Sequence, residues 1–373
     1  MKKTFATVLL AMTICMAWGQ KTSISPTVHE RLDRGVVALP AQYKGIFISW
    51  RLLGDDAKDV TFDVVRNGKT IAKGINSTNF TDSEGTVTST YCIIARQGGK
   101  ENTSKEITPW GDLFYRMPIE RPDGGNTPDG SSYTYSPNDC SVGDVDGDGE
   151  YELILKWDPS NAHDNSHDGY TGDVILDCYK LSGKRMWRVN LGRNIRAGAH
   201  YTQFLVYDFD GDGKAEMMCK TAPGSKDGNG KYVSEAATID YIQAVDNTKD
   251  WRNSDGKVKG GQEWLTVFNG ETGEAIHTVL YNPNRNGNYE SLDGVNGWTK
   301  NWDDRNGKTD KEYGNRGERY LAAVAWIDGV EHAPCAIFVR GYYTYSYIWA
   351  VWFDCKKLIN RWMHDSFSKT RYR

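Results

Sequence analysis

The sequence is poor in several features that mark common functional classes. Its 373 residues include only 11 prolines, and a formal net charge of −4 comes with no long run of lysine and arginine. A basic patch or basic helix that would bind nucleic acid is therefore excluded. No cysteine pair has the CxxC spacing of a zinc site. Beyond the first 20 or so residues, no apolar run is long enough to span a membrane.

Seven cysteines are present, and six of them lie beyond residue 20. Most of the six fall inside apolar strand patterns, such as residues 174–179 and 215–220. We interpret them as buried small hydrophobic residues, with disulfides as the alternative.

The N-terminus has the pattern of a secretory signal peptide. Lys2 and Lys3 precede a mostly apolar stretch at 5–17, and Ala17-Trp18-Gly19 is a small-x-small cleavage pattern. We predict a signal peptide at residues 1–19 and a secreted or periplasmic location in a bacterium.

Glycine and aromatic residues are abundant instead, as in folds where tight turns join short strands. Residues 24–118 alternate apolar and polar positions, with an Asn67-Gly68 turn after the strand at 60–66. This pattern predicts a β-sandwich that looks like a fibronectin type III module, with Trp50 in its core. Residues 119–135 are predicted to be a linker.

The remainder, residues 136–373, repeats itself. Residues 141–156 match 205–220, and a hairpin pattern at 174–184 matches 265–274. A third copy at 321–358 keeps the strands and loses the acidic residues. Such repetition predicts about three to four blades of a β-propeller, so the fold class is all-β. A parallel β-solenoid is the competing repeat fold.

The matching segments 141–156 and 205–220 each contain one aspartate-rich turn with carboxylates on alternate residues. Like charges this close are costly unless a cation holds them, and calcium accepts six to eight oxygen ligands. Neither turn has the acid that an EF-hand needs at its twelfth position, where Leu155 and Cys219 stand. We expect calcium that mainly ties strands together. The carboxylates are Asp144, Asp146, Asp148 and Glu152, then Asp208, Asp210, Asp212 and Glu216.

Several loops are candidates for ligand contact. Two long polar insertions span about 222–262 and 282–318, and the second is rich in aromatic residues and arginine. Arg193, Arg196 and His200 lie close in sequence and suit an anionic ligand such as a carboxylate. Ion pairs between these arginines and neighbouring aspartates are the alternative.

Four motifs together carry a family resemblance. Residues 136–149, 153–161, 168–172 and 194–204 closely resemble the rhamnogalacturonan endolyases of polysaccharide lyase family 11, and the likeness runs from about 30 to 365. The resemblance implies a β-sheet N-terminal domain and an eight-bladed propeller carrying calcium. It also implies β-elimination at the rhamnose–galacturonate bond of rhamnogalacturonan I, a pectic polysaccharide.

The resemblance also implies site residues. Asn138 and Asp158 fall at substrate-contacting positions, and we expect both beside the first calcium loop. The catalytic base stays unassigned. One calcium would be surrounded by Asp139, Asp144, Asp146, Asp148, Glu150 and Glu152. Another would be surrounded by Asp208, Asp210, Asp212, the carbonyl of Lys214, and Glu216.

The chain departs from the family in being much shorter, so we expect a C-terminally truncated and inactive fragment. The apolar face of its last blade, with Trp349, Val351, Phe353, Ile359 and Trp362 nearby, is expected to be exposed. The alternative function is a non-catalytic, calcium-dependent carbohydrate-binding or adhesion propeller.

Overall fold

The computed structural model describes residues 30–284, 316–342 and 346–366, which are built almost entirely from antiparallel strands. This confirms the predicted all-β class. The predicted signal peptide lies outside the described residues. So does most of the second insertion, including Tyr289, Trp298, Trp302, Arg305 and Tyr313.

Two N-terminal sheets share one core, which is consistent with the predicted sandwich. Their strands are β1 Val37–Pro40, β2 Ile46–Ser49, β3 Thr61–Arg66, β4 Lys69–Ile75, β5 Asn79–Asp82, β6 Tyr91–Gln97 and β7 Lys100–Thr103. Trp50 is buried in this core and packs edge-on against Phe62, as predicted, with ring centroids 5.5 Å apart. Asn67 and Gly68 have φ of 48° and 75° and form the predicted tight turn between β3 and β4.

Three four-stranded sheets follow, each with its strands paired in sequence order. Sheet I contains β10 Tyr135–Gly143, β11 Glu152–Pro159, β12 Ile175–Tyr179 and β13 Arg185–Asn190. Sheet II contains β14 Phe204–Tyr207, β15 Glu216–Thr221, β16 Trp264–Phe268 and β17 Ala275–Leu280. Sheet III contains β18 Tyr320–Ala325, β19 Cys335–Arg340, β20 Tyr347–Phe353 and β21 Leu358–Asp365. The three sheets match the three predicted repeats.

Short elements connect these sheets. A two-stranded hairpin, β8 Gly125–Asn126 and β9 Ser132–Tyr133, precedes sheet I. The insertion between β15 and β16 contains a 3-10 turn, Val233–Ala236, and helix α1, Asp240–Gln243. A second 3-10 turn, Arg316–Glu318, precedes sheet III. No helix among the described residues has the length and apolar character needed to cross a bilayer.

Sheet II packs against both of its neighbours because successive strand residues point to opposite faces. In β15, Met217 and Cys219 join the core shared with sheet I, whereas Met218 joins the core shared with sheet III. All residues of β15 and β16 are buried as a result.

The expected exposed face on the last sheet is wrong for three of its residues. Trp349, Val351 and Phe353 are at most 1% exposed, because they pack against sheet II. Their apolar surface is covered by the preceding sheet.

The six cysteines beyond residue 20 are all free thiols. Cys178, Cys219 and Cys335 are buried, as expected of small hydrophobic residues, whereas Cys140 and Cys355 are exposed.

Candidate functional site

Both acid-rich turns connect the first two strands of their sheet. Loop I, residues 144–151, joins β10 to β11, and loop II, residues 208–215, joins β14 to β15. In each loop the first aspartate accepts two backbone N–H groups from glycines at positive φ, a conformation that other residues rarely adopt. The N···O distances are 2.8 Å from Gly147 and 2.9 Å from Gly149 to Asp144, and 2.6 Å from Gly211 and 3.0 Å from Gly213 to Asp208.

Each loop gathers carboxylates into one cluster. Oxygen atoms lie within 4.8 Å of one another in the cluster of Asp144, Asp146 and Glu152 and in that of Asp208, Asp210 and Glu216. Burial raises the pKa of Glu152 to about 7 and, together with Asp210, that of Glu216 to about 9. A bound cation would reverse these shifts, since it favours the charged form. Oxygen donors of this kind suit a hard cation such as calcium.

The two clusters differ in how they are neutralised. Lys180 Nζ lies 2.5 Å from Asp146, 3.0 Å from Asp148 and 3.4 Å from Glu152. Even so, the buried Oδ1 of Asp146 forms no hydrogen bond with any described residue, which fits an atom that could bind a metal. Within the described part of the chain, no basic side chain pairs with the acids of loop II. The fit to a cation is therefore stronger at loop II.

Other predicted ligands have protein partners. Asp139 lies 2.6 Å from Lys156 Nζ, and its neighbour Cys140 is three strand positions from Gly143, where loop I begins. The Glu150 carboxylate pairs with Lys105 of the N-terminal sandwich at 3.0 Å. In loop II, Asp212 accepts the backbone N–H of Lys214 at 2.8 Å. The Lys214 carbonyl accepts no hydrogen bond from a described residue, and its role as a calcium ligand stays a prediction.

The sequence analysis missed the contact of loop I with the N-terminal segment. Glu30 Oε1 accepts the N–H of Asp144 at 2.7 Å, and the N–H of Asp33 donates to the Gly149 carbonyl at 2.8 Å. The Arg51 guanidinium lies 4.4 Å from the ring centroid of Tyr151. Loop I of sheet I therefore contacts the N-terminal part of the chain, and no local pattern in the sequence indicates this contact.

The expectation that Asn138 and Asp158 lie beside loop I is wrong for both residues, because Asn138 lies five residues from Gly143 along β10 and Asp158 lies farther still from the loop. In sheet I, Gly143 pairs with Glu152 at the loop I edge, whereas Asp158 pairs with Ser136 near the opposite edge. We call this opposite edge of sheet I the ligand edge. Asn138 lies in a β-bulge of β10 and is exposed.

Asp158 has the marks of a functional carboxylate. Its Oδ1 is buried and forms no hydrogen bond within the described part of the chain. Burial raises the pKa of the Asp158 carboxyl, Lys156 opposes that shift, and Asp139 adds to it. A buried carboxylate with a perturbed pKa is typical of functional sites.

The two candidate arginines, Arg193 and Arg196, differ in exposure and in hydrogen bonding. Arg196 is buried, and its Nη atoms donate to the carbonyls of Gly169 at 2.8 Å, Gly256 at 2.7 Å and His167 at 3.0 Å. These bonds tie loop segments together and argue against the predicted ligand contact. Arg193 is exposed and forms no hydrogen bond or ion pair with any described residue. It follows β13 and therefore lies at the ligand edge.

Comparisons with known proteins follow the same division of the chain. Residues 27–110 match the family model "Rhamnogalacturonan I lyases beta-sheet domain". Residues 114–373 match "Rhamnogalacturonan lyase family 11, C-terminal domain".

Two curated relatives come from Bacillus subtilis (strain 168). The rhamnogalacturonan exolyase YesX is 48% identical over 340 residues, which cover 90% of this chain and 50% of the relative. The rhamnogalacturonan endolyase YesW is 45% identical over 374 aligned residues, which cover 98% of this chain and 54% of the relative. The chain thus spans about half the length of the curated relatives it matches.

Solved structures agree with this result. The crystal structure of exotype rhamnogalacturonan lyase YesX has a TM-score of 0.80 at 47% identity, covering 92% of this chain and 52% of that chain. The Bacillus licheniformis rhamnogalacturonan lyase PL11 has a TM-score of 0.79 at 46% identity, covering 92% and 54%.

Proposed function

Because this chain belongs to the family 11 rhamnogalacturonan lyases, we propose that it acts in the β-elimination of rhamnogalacturonan I, the pectic polysaccharide. The match of residues 114–373 to the family model carries this proposal. The names of the relatives include both an exolyase and an endolyase, so the proposal covers the bond type and not the mode of attack.

The proposed reaction cleaves the bond between rhamnose and galacturonate. A base removes the proton at C5 of galacturonate, the C4=C5 double bond of an unsaturated uronate forms as the C4–O4 bond breaks, and O4 leaves with rhamnose and takes up a proton to become a hydroxyl. The C5 proton becomes acidic when the charge of the neighbouring carboxylate is neutralised. No water is consumed, so the paired carboxylates of a glycosidase are not needed. We propose that Asn138, Asp158 and Arg193 contact the polymer at the ligand edge, and we assign no base.

We further propose that sheets I to III are consecutive blades of a β-propeller and that loops I and II hold calcium. Their support is the repeated strand order and the two carboxylate clusters. Calcium bound there would cross-link the carboxylates and tie together the strands that each loop joins. Removal of residues 1–19 as a signal peptide and export of the mature protein complete the proposal.

A lyase assay tests the activity in two arms. The purified chain, and the chain joined after Asp365 to the C-terminal half of the endolyase YesW, are mixed with rhamnogalacturonan I and calcium. Absorbance of the unsaturated uronate is then followed. We expect product from the chimera. Activity of the chain by itself would refute the sequence-based prediction that it is inactive, and inactivity of a folded chimera would refute the lyase proposal.

The alternative, a non-catalytic carbohydrate-binding or adhesion propeller, predicts a different result. Such a protein would bind the polysaccharide in the presence of calcium, and neither arm would produce unsaturated uronate.

A further inference from the structure

A polar groove lies at the ligand edge of sheet I. It consists of two adjoining cavities of about 260 and 310 Å³ that share Asp173 and Arg193. Together they reach the size of typical ligand pockets, about 300–1,000 Å³. We call this the edge groove and define it by Tyr133, Asp173, Arg193, Lys226, Tyr232 and Arg252.

Basic groups outnumber acids in the edge groove. Arg193, Lys226 and Arg252 line it, and Asp173 is the acidic residue of its lining. Arg193 and Lys226 form no ion pair with any residue that the structure describes. Lys226 Nζ rests 5.2 Å from the ring centroid of Tyr232. Two unpaired cations in a concave site are available to an anionic ligand.

The third cation is held rigidly. The Arg252 side chain is 7% exposed and pairs with Asp250 through Nη2 at 2.7 Å and Nε at 2.9 Å. It also lies 4.9 Å from the ring centroid of Tyr170. Because Asp250 already offsets its charge, Arg252 forms a wall of the groove, and the net attraction for an anion comes from Arg193 and Lys226, which outnumber the one carboxylate of Asp173.

Close backbone packing builds the walls of the groove. A Cβ at Gly172 would lie 2.5 Å from the Tyr133 ring, and one at Gly192, where φ is 72°, would lie 2.8 Å from the Gly224 carbonyl oxygen. Glycine is therefore required at position 192, whereas a Cβ at position 172 would need the Tyr133 ring to shift. The groove is also lined by Asn190, Asn247 and Thr248, whose polar groups suit the hydroxyls of a sugar.

We propose that the edge groove is a binding subsite for a galacturonate unit of the polymer and that Arg193 and Lys226 pair with its carboxylate. This inference rests on the proposed function, which makes the polymer the ligand. The subsite lies at the same edge of sheet I as Asp158, so one polymer chain can pass from one to the other.

The experiment compares two forms of one ligand on the full chain in calcium-containing buffer. Rhamnogalacturonan I oligosaccharides are used with native carboxylates and after reduction of each galacturonate to neutral galactose. Isothermal titration calorimetry measures Kd for the unmodified protein and for Arg193→Ala and Lys226→Ala. We expect each variant to weaken binding of the native oligosaccharide about tenfold, as for loss of one charge-assisted contact. Binding of the reduced form stays unchanged.

Two further variants sharpen the test. Lys184→Ala removes an exposed cation from the β12–β13 hairpin at the other edge of sheet I and is expected to change neither Kd. Arg193→Lys retains the charge and is expected to restore part of the affinity. Circular dichroism confirms folding, which Arg193 does not support through a hydrogen bond or ion pair with any residue that the structure describes.

Three results would overturn the subsite: no binding of the native oligosaccharide, equal binding of both forms by the unmodified protein, or equal weakening of both forms in the variants. The lyase assay distinguishes this failure from failure of the proposed function. A carboxylate-specific loss in a protein whose chimera lacks lyase activity would keep the subsite and refute the reaction. An active chimera unaffected by Arg193→Ala would refute the subsite alone.

Discussion

Asp158 lowers the stability of the fold, which is not expected of a residue with a purely structural role. A buried acceptor without a partner destabilises a fold by about 1–3 kcal/mol, and an unpaired charge by more. In Asp158 the unpartnered atom is a carboxylate oxygen at the ligand edge. The proposed contact of Asp158 with the polymer would account for an acid at this position.

Asp158→Asn is therefore expected to separate function from folding. The neutral amide relieves the unpaired buried charge, so the free energy of unfolding in urea should stay within about 1 kcal/mol or rise. Polymer turnover in the chimera should fall at least tenfold. Asp123→Asn, at an exposed position, is the control and should change neither quantity. Normal turnover in Asp158→Asn would make this residue structural.

His277 links sheet II to sheet III in a way that depends on pH. The imidazole is 5% exposed, and its Nδ1 accepts the N–H of Leu358 at 3.1 Å. Burial lowers the pKa of His277 from its usual 6.5, nearby Lys357 adds to that shift, and Asp354 opposes it. The folded protein therefore keeps His277 neutral at a pH where the unfolded chain already protonates it.

The contribution of His277 to stability is consequently expected to fall as the pH drops below about 6.5, because the unfolded state binds the extra proton. This loss continues down to the lowered folded pKa, at no more than about 1.4 kcal/mol per pH unit from this residue. His277→Gln keeps an acceptor for the N–H of Leu358 and should make stability depend less steeply on pH. The midpoints of urea unfolding at pH 7.5, 6.5 and 5.5 measure this dependence. The exposed His167→Gln should retain the unmodified slope, and an equally steep slope in His277→Gln would exclude this residue as the cause.

At the scale of elements, loops I and II share the backbone hydrogen bonds to their first aspartate, but the side chain that follows the third strand of the sheet differs between them. Lys180 follows β12 and donates its backbone N–H to the Lys184 carbonyl. Asn269 does the same after β16 with the Glu274 carbonyl. The lysine at this position reaches the acids of loop I, and the shorter asparagine provides no cation to loop II.

We expect loop II to depend more strongly on calcium than loop I. Calcium should raise the melting temperature of the purified chain, and Asp210→Asn should remove more of that rise than Asp146→Asn. Lys180→Met should enlarge the response, since loop I then lacks its internal cation. Differential scanning calorimetry with calcium or a chelator provides the measurement. Asp59→Asn, exposed in the N-terminal sandwich, is the control. If calcium changed the melting temperature neither of the unmodified chain nor of any variant, the proposed metal sites would be contradicted.

At the scale of the whole molecule, a buried ionic network joins sheets II and III. Glu263 lies 2.7 Å from Arg340 and 2.8 Å from Lys220, and Arg340 is 1% exposed. Glu318 also belongs to the network and lies 3.2 Å from Arg340. Loss of one member of such a network leaves a buried charge without its main partner.

Glu263→Gln is expected to lower the free energy of unfolding by about 3–5 kcal/mol, the cost of breaking a buried ion pair. Urea denaturation followed by tryptophan fluorescence measures it. Glu274→Gln removes a comparable pair with Lys231 that is about half exposed, so it should cost less than about 1 kcal/mol. Equal effects of the two changes would show that burial does not strengthen the Glu263 network.

Local chemistry determined what the sequence could predict. The Asn67-Gly68 turn follows from the left-handed conformations that these residues tolerate. The two loops follow from alternating aspartate and glycine, and the strands follow from alternation with a period of two. The shape of both carboxylate clusters was therefore predictable, because each is built from residues at most eight positions apart.

Only the tertiary structure decided which distant segments meet. In the folded protein, Lys180 pairs with the acids of loop I, and Glu30 accepts a hydrogen bond from that loop. Arg196 is buried and donates to backbone carbonyls, and Trp349 packs against sheet II. The fold also brings Arg193 and Lys226 into one groove. An arginine has the same local pattern whether it pairs with a backbone carbonyl or faces solvent. Its role depends on the neighbours that sheet packing supplies, and no short stretch of sequence specifies those neighbours.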